Sequence, residues 1–184
     1  QYLRARRQRM RGRAFEALAV IGRGAYGEVR LVRLRDTGHV FAMKILDKEQ
    51  MVARRQQLHA LSERLALTAS GAAYRDRNPW VVRLHCSFQD AARLYLVMEY
   101  CPGGDLATLL RNLGAFELDM TRVYAAETVL SLVSLHKMSY VHRDLKPGNV
   151  LVVATDAAAP GAVCKLSDFG TARRDLAVSA ATMT

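Results

Sequence analysis

Cysteine is scarce in this sequence, which has three among 184 residues: Cys86, Cys101 and Cys164. Their number is odd, and no two of them stand at the C-x-x-C spacing of metal-binding or redox pairs. We therefore expect neither a disulfide framework nor a zinc site. Free thiols are typical of a reducing compartment, so we expect a cytoplasmic and/or nuclear protein.

Long apolar runs are also absent. No stretch of 18 or more uncharged apolar residues occurs, so we expect no membrane span. The first 13 residues are basic, but no apolar segment follows them as it would in a signal peptide. Because the chain does not begin with Met, we expect it to be an excerpt of a longer one. A hydrophobic fraction of 51% with 24% charged residues indicates a globular fold.

Acidic residues are missing from residues 1–13, which carry six arginines. The formal net charge of the whole chain is +10, and without those six arginines it is +4. The positive charge is therefore mainly a local feature of a basic N-terminal segment. A general nucleic-acid binder is not implied, and nucleic acid is not an expected partner.

The chain is rich in strand patterns first and in helix patterns later. Alternating or apolar runs that predict strands occupy 15–21, 28–34, 40–46, 81–88 and 93–100. Helical spacing predicts helices over 49–69, 105–112 and 121–138. The order predicts an α+β fold of two lobes. We divide the chain into a basic segment (1–13), an N-lobe (14–100) and a hinge with a partial C-lobe (101–184).

Three glycines, Gly22, Gly24 and Gly27, form a G-x-G-x-x-G pattern at the first turn. A dinucleotide-binding site would need a helix directly after them, whereas another strand pattern follows here. The pattern instead predicts a hairpin whose backbone N–H groups cover nucleotide phosphates. A hairpin turn without a ligand is the alternative.

Lys44 lies inside the apolar strand 40–46. A buried ammonium group needs an anionic partner, and a lysine so placed can hold the α- and β-phosphates of a nucleotide. Glu63, in the helix that follows, is the candidate that orients it. Glu49 is the alternative, although an acid at a helix start can simply favour the helix dipole.

The segment His142-Arg-Asp-Leu-Lys-Pro-Gly-Asn149 matches the catalytic-loop pattern of protein kinases at six positions. In this pattern Asp144 accepts the proton of the substrate hydroxyl, and Lys146 neutralises charge near the γ-phosphate. Asn149 and Asp168, the latter in an Asp-Phe-Gly tripeptide after the short strand 163–166, would hold Mg²⁺. We expect His142 to pack beneath the loop.

These motifs, together with runs such as 20–32, 36–46 and 126–130, resemble an AGC-type protein serine/threonine kinase, closest to the NDR/LATS family. The resemblance runs from about Tyr2 to Arg173. It implies ATP and Mg²⁺ as cofactors, protein substrates, and transfer of the ATP γ-phosphoryl group to Ser/Thr hydroxyls. It further implies that adenosine is bound by the gatekeeper Met98, backbone groups of Glu99 and Cys101, the apolar side chains Ile21, Val29, Ala42 and Leu151, and Asp105 near the ribose. Ordinary core packing is the alternative for the apolar members.

The resemblance has two further implications and one gap. Residues 1–13 are similar to the segment with which relatives bind MOB-like coactivators; a solvated basic arm is the alternative. Gly148 stands where relatives carry an acid that helps to bind basic residues of peptide substrates, so a preference for basic substrates is not predicted.

Thr184 comes 14 residues after Gly170 without an Ala-Pro-Glu motif. We expect a complete N-lobe, with its antiparallel sheet and αC-type helix, and only the first part of the helical C-lobe. A catalytically incompetent nucleotide-binding or scaffold module is the alternative function.

Overall fold

The computed structural model describes residues 12–24, 27–73, 78–153 and 163–175, apart from the side chains of residues 72, 73 and 163. The backbone divides into two compact units. The described parts of Gln1–Gln57 and Leu84–Tyr100 form one, called the sheet unit here. Those of Leu58–Arg83 and Cys101–Thr184 form the other, the helical unit. The domain boundaries predicted from the sequence stay predictions.

The sheet unit is a five-stranded antiparallel sheet with one short helix. Its strands are β1 (Phe15–Gly24), β2 (Gly27–Leu34), β3 (Val40–Asp47), β4 (Leu84–Gln89) and β5 (Arg93–Glu99), in the order β1-β2-β3-β5-β4. Helix α1 (Lys48–Ala53) begins where β3 ends, because the Asp47 carboxylate accepts a hydrogen bond from the Gln50 N–H at 3.1 Å.

The core of the sheet unit lies on one face of the sheet. Phe15, Val32, Leu34, Met43 and Val97 are buried there, and Phe41, Ile45 and Phe88 are among the residues packed around them. In β3 the alternation of an extended strand sends Phe41, Met43 and Ile45 to this core face. Ala42 and Lys44 therefore point to the opposite face.

The helical unit contains three helices and four short strands. They are α2 (Gln57–Ala73), α3 (Leu106–Leu113), α4 (Leu118–Lys137), β6 (Tyr140–Val141), β7 (Val150–Val153), β8 (Val163–Leu166) and β9 (Arg173–Arg174). Strand β6 pairs with β9 and β7 with β8, both antiparallel. The α+β class predicted from the sequence is confirmed.

A buried polar pair ties the segment after α2 to α4. The side-chain amide of Asn78 donates to Ser134 Oγ at 3.0 Å, and its oxygen accepts from the backbone N–H of Trp80 at 3.0 Å. Neither Asn78 nor Ser134 stands out in the sequence. In the part of the chain that the structure describes, no helix combines the length and the apolar character needed to cross a bilayer.

The helix predicted over 49–69 is wrong in one respect, since the structure breaks it between α1 and α2. Arg55 adopts a left-handed conformation, φ 54°, directly after α1. The N–H groups of Arg55 and Gln56 return to the carbonyls of Val52 and Met51, at 3.1 and 2.8 Å, which is the hydrogen-bond pattern of a Schellman C-cap. Because an arginine takes the position where glycine is usual, the sequence carries no signal for this break.

Helix α4 has apolar residues on two faces. Tyr124 and Leu135 are buried, together with Ser131 and Ser134. Val129 and Leu130 are 58% and 47% exposed, and Val123 and Val133 are each 43% exposed. The periodic residues that indicated this helix in the sequence, Val123, Leu130 and Val133 among them, thus lie on its exposed face. A contiguous exposed apolar face of this kind favours association.

We expect the 184-residue chain to self-associate through α4, and the double variant Val129→Lys/Leu130→Glu to reduce this association without a change in net charge. Sedimentation velocity over a concentration series measures it. Thr121→Lys, at an exposed polar position of the same helix, is the control and should leave the association unchanged. Equal self-association of the double variant and the wild type would show that another surface is responsible.

Gly103 is required by a close approach of two backbone segments. Its N–H donates to the Val152 carbonyl at 3.0 Å, and the Val152 N–H returns to Gly104 O at 2.8 Å. A Cβ atom at Gly103 would lie 2.6 Å from that Val152 oxygen, which no rotamer change can relieve because both groups are backbone.

Gly103→Ala should therefore lower the free energy of unfolding by about 1–3 kcal/mol, the usual cost of forcing extra atoms into a packed site. Chemical denaturation followed by circular dichroism measures the loss. Gly12→Ala is the matched control, because no heavy atom lies within 4 Å of a Cβ placed there. Equal stability of the two variants would contradict this account.

Candidate active site

The loop between β6 and β7 gathers three of the predicted site residues around one carboxylate. Lys146 Nζ lies 2.7 Å from Asp144 Oδ2. The side-chain amide of Asn149 donates to the backbone carbonyl of Asp144 at 2.8 Å and to its Oδ2 at 3.1 Å. A turn of 3₁₀-helix, Pro147–Asn149, brings Asn149 back beneath Asp144. The loop therefore holds the carboxylate by two side chains of its own.

His142 is buried under this loop, as expected from the sequence, with 1% of its surface exposed. Its Nδ1 accepts from the Asp144 N–H at 3.3 Å, and its Nε2 donates to the Ser167 carbonyl at 2.9 Å. The ring centroid lies 5.0 Å from that of Phe169. His142 thus joins the backbone of Asp144 to the segment that precedes Asp168, and its two ring nitrogens are occupied by these bonds.

Ser167 connects the same two segments a second time. Its N–H and its Oγ both donate to the Asn149 carbonyl, at 2.9 and 3.0 Å. Sequence reasoning missed this residue. The available signal was its position, since a hydroxyl residue directly before the Asp-Phe-Gly tripeptide can bond local backbone groups.

Two residues of the site hold left-handed backbone conformations, Arg143 at φ 66° and Asp168 at φ 56°. Arg143 is held there by a hydrogen bond from Nε to the Thr171 carbonyl at 2.7 Å, and Thr171 Oγ donates to the His142 carbonyl at 3.0 Å. Such conformations are unfavourable for arginine and persist only where neighbours enforce them. Two such residues close to Asp144 are consistent with the functional role that the sequence predicts for this loop.

The charges in the loop stabilise one another. The hydrogen bond from Lys146 is the main reason why the pKa of Asp144 lies below its usual range, and the amide of Asn149 lowers this pKa further. The negative charge of Asp168 acts in the opposite direction. The pKa of Lys146 is raised, chiefly by its hydrogen bond to Asp144. At neutral pH the loop therefore presents an ionised carboxylate next to a protonated amine.

Asn149 and Asp168 offer oxygen atoms of the kind that Mg²⁺ prefers. The side-chain amide hydrogens of Asn149 point to Asp144, so its side-chain oxygen, Oδ1, is the atom suited to a metal. Within the described residues no three His, Cys, Asp or Glu side chains gather as a metal site would require. Mg²⁺ bound through one or two protein side chains together with substrate phosphates needs no such cluster, so the residues fit this ion.

Asp105, predicted near the ribose, caps α3. Its Oδ1 accepts from the Thr108 N–H and its Oδ2 from the Thr108 hydroxyl, both at 2.8 Å. The backbone of Asp105 forms a bridge with Leu151. Cys101, two residues before Gly103, is buried. The structure thus brings Asp105 and Leu151 together, and it gives the Asp105 carboxylate a structural role that the sequence had not indicated.

On the sheet unit, the predicted nucleotide-binding residues share the face opposite the core. Gly22 pairs with Val29, and Val29 with Lys44, across neighbouring strands. Ala42 and Met98 pair with each other on the same face. Directly opposed residues of antiparallel strands point to the same side, so the side chains of this row project together.

Three further predicted residues of the sheet unit lie around this row. Ile21 is 45% exposed on β1. Glu99 ends β5 opposite Phe41. At Gly27 a Cβ would overlap the Ile45 carbonyl, so this glycine is needed for the close approach of β2 to β3.

Glu63 lies on α2 in the helical unit and is 3% exposed. Lys44 lies in the sheet unit, so the pairing proposed for these two side chains stays a prediction. Of the basic segment 1–13 the structure describes residues 12 and 13, in a 3₁₀ turn, and the rest lies outside the described residues. The coactivator-binding prediction therefore also stays a prediction.

The chain matches the family described as "Protein kinase domain" over residues 15–182. It is 49% identical over 170 residues to "Probable serine/threonine-protein kinase ndrB" of Dictyostelium discoideum, covering 92% of this chain and 30% of that protein. It is 46% identical to "Serine/threonine-protein kinase tricornered" of Drosophila melanogaster, covering 92% of this chain and 34% of that protein.

A fungal relative gives the same result. Identity to "Serine/threonine-protein kinase CBK1" of Saccharomyces cerevisiae is 46% over 92% of this chain and 21% of that protein. The chain thus spans between about a fifth and a third of the length of these curated relatives. The resemblance to serine/threonine kinases of the NDR group, predicted from the sequence, is confirmed.

Replacing Lys146 by Met should raise the pKa of Asp144 toward its usual range, because the hydrogen bond that mainly depresses it is lost. As the pH falls, the Asp144 carboxylate of the variant should therefore become protonated at a higher pH than that of the wild type. A ¹³C NMR titration of the Asp144 carboxyl group measures the shift. Lys137→Met, at the exposed end of α4, is the control and should leave this titration unchanged. An unaltered pKa in the Lys146 variant would contradict the assignment.

Proposed function

The chain belongs to the protein kinase family, and from this premise we propose that the protein of which it forms a part transfers the γ-phosphoryl group of ATP to serine and threonine hydroxyls of protein substrates. The names of its relatives support this proposal. The observation that carries it is the ionised Asp144, held by Lys146 and Asn149 at 2.7 and 3.1 Å. A carboxylate fixed in this way is suited to orient an acceptor hydroxyl.

We propose that Asp144 accepts the hydrogen of the attacking hydroxyl and thereby aligns its oxygen. Its lowered pKa keeps it in the accepting form at neutral pH. Lys146 is protonated, so the same ammonium group that holds Asp144 can also stabilise negative charge that develops on the transferred group. The arrangement favours positioning and charge stabilisation, which supply most of the catalysis in phosphoryl transfer.

We propose that Mg²⁺ is held by the side-chain oxygen of Asn149 and by the carboxylate of Asp168. When bound, the ion neutralises phosphate charge. His142 and Ser167 keep the two ligands in a fixed relation. His142 donates to the Ser167 carbonyl, and the Ser167 hydroxyl donates to the Asn149 carbonyl, so the loop and the residue before Asp168 are joined. The chain's own contribution is thus a rigid pair of oxygen ligands beside the ionised Asp144.

For the sheet unit we propose a nucleotide-binding role for the face that carries Gly22, Val29, Ala42, Lys44 and Met98. Apolar side chains on this face offer a surface for a base, and Lys44 offers a cation for phosphates. At Gly22 and Gly24 a Cβ would meet no atom closer than 3.6 Å, so these glycines leave room for a ligand on the hairpin. Glu63 is proposed to orient Lys44.

A partner and a location are proposed as well. The six arginines of residues 1–13 support an acidic protein partner such as a MOB-like coactivator. The cysteines are three in number and include no C-x-x-C pair, which supports a reducing cytoplasmic and/or nuclear environment.

Asp144→Asn tests the proposed function in the whole protein. The amide keeps the shape of the side chain but cannot accept the hydroxyl proton, so we expect the turnover number to fall roughly 10²- to 10⁴-fold. ATP affinity should stay near that of the wild type, because Asp144 is proposed to act on the acceptor hydroxyl. Phosphate transfer to a Ser/Thr protein substrate and equilibrium binding of ATP with Mg²⁺ are the two measurements.

Asp119→Asn is the matched control. Asp119 is an exposed carboxylate on α4 that pairs with Arg122 at 2.9 Å, and its removal should change neither quantity. Turnover of the Asp144 variant at the wild-type rate would refute the role of Asp144. Binding of the nucleotide by the wild type without any transfer would favour the alternative function, a nucleotide-binding or scaffold module.

A further inference from the structure

A buried contact joins α4 to β8, the strand that leads to Asp168. Glu127 Oε2 accepts a hydrogen bond from the backbone N–H of Cys164 at 2.6 Å. The same carboxylate, after burial, is a further cause that raises the pKa of the Cys164 thiol. One carboxylate of the helix thus binds the main chain of a strand residue and acts on its side chain, and Cys164 itself has no exposed surface.

Ser131 contacts the same strand residue from the next turn of α4. Its hydroxyl lies 2.8 Å from the Glu127 carbonyl and 3.5 Å from the Cys164 carbonyl. Glu127 and Ser131 are four residues apart and therefore lie on one face of the helix. Glu127 binds the N–H of Cys164, and the Ser131 hydroxyl lies close to the carbonyl of the same residue.

Further hydrogen bonds hold the segment between Cys164 and Ser167, the residue directly before Asp168. The Leu166 N–H donates to Trp80 O at 2.9 Å, and its carbonyl accepts from the Val82 N–H at 3.0 Å. Ser167 then bonds the Asn149 carbonyl twice. Strand β8 is four residues long, so Cys164 is only four positions away from the proposed metal ligand.

We propose that Glu127 is a positioning residue for Asp168: by binding Cys164 it fixes β8 along its length and thereby sets where the metal-binding carboxylate lies. The proposal rests on the proposed function, in which Asp168 holds Mg²⁺. Glu127 touches neither nucleotide nor substrate in this role. It acts as an outer partner of a metal ligand, and such partners commonly change metal affinity by about 10- to 100-fold when they are replaced.

The environment of Cys164 supports a fixed contact. Burial raises the pKa of the Cys164 thiol to about 12, and the hydrogen bond to Glu127 contributes to this rise. A buried thiol beside a carboxylate keeps its proton. The 2.6 Å hydrogen bond from the Cys164 N–H to Glu127 Oε2 is the contact that limits the freedom of β8 to slide along α4.

Three variants of the whole protein test the proposal. Glu127→Met keeps a side chain of similar length but removes both acceptor oxygens. Glu127→Gln keeps one oxygen that can accept the Cys164 N–H. Glu117→Met removes a carboxylate at the exposed start of the same helix, where its side chain makes no capping bond, and serves as the control.

The main measurement is the affinity for ADP with and without Mg²⁺ by isothermal titration calorimetry. The ratio of the two affinities reports the metal contribution separately from that of the base and ribose. We expect this ratio to fall about tenfold in Glu127→Met, in line with outer partners of metal ligands, and to be largely restored in Glu127→Gln. Glu117→Met should equal the wild type.

A second measurement reports the contact without any nucleotide. Hydrogen exchange at the Cys164 amide should accelerate in Glu127→Met and stay slow in Glu127→Gln. If Glu127→Met does not fold, Ser131→Ala replaces it, with a smaller fall of the affinity ratio in the same direction. An unchanged affinity ratio in a folded variant whose Cys164 amide exchanges faster would overturn the proposal, because the contact would then be merely structural.

The proposed function fails separately. If the wild type binds ADP equally with and without Mg²⁺, Asp168 is not a metal ligand, and both proposals are overturned. If the wild type shows the Mg²⁺ effect and Glu127→Met retains it in full, only the role of Glu127 is refuted.

Discussion

The helical unit depends on the backbone carbonyl of Asn149. This carbonyl accepts hydrogen bonds from both the N–H and the Oγ of Ser167, while the side chain of the same asparagine binds Asp144. One residue therefore links the loop that carries Asp144, the 3₁₀ turn and the segment that carries Asp168. His142 adds a parallel connection from the other side. These few bonds fix the Asn149 amide, and the segment that carries the Asp168 carboxylate, relative to Asp144.

Much of the fold could be predicted from local patterns, and the failures have local causes. Strand β8 matches the predicted range 163–166, because its short run lies between the turn residues Pro160-Gly161 and the polar pair Ser167-Asp168. The break between α1 and α2 was missed because Arg55 holds a conformation usually given to glycine. The apolar repeats of α4 located the helix but not its buried face, since buried serines take positions there.

The part of the candidate site that could be predicted consists of residues within one short sequence motif. Asp144, Lys146 and Asn149 follow from their motif, and the structure brings them within hydrogen-bond distance. Glu127, Ser131 and Ser167 could not be predicted, because their roles arise from contacts between segments distant in sequence. Asp105 shows the converse: the family resemblance implies a place near the ribose, which stays a prediction, and the structure adds a role as helix cap. Gly27 likewise serves the packing of two strands.

The thiol of Cys164 has a consequence for chemical modification. Burial raises the pKa of this thiol to about 12, so the thiol stays protonated at neutral pH. Electrophilic drugs and peroxide attack thiolates, so this cysteine is protected although it stands four residues from the proposed metal ligand. A covalent inhibitor aimed at the Asp-Phe-Gly segment of this protein would need another nucleophile.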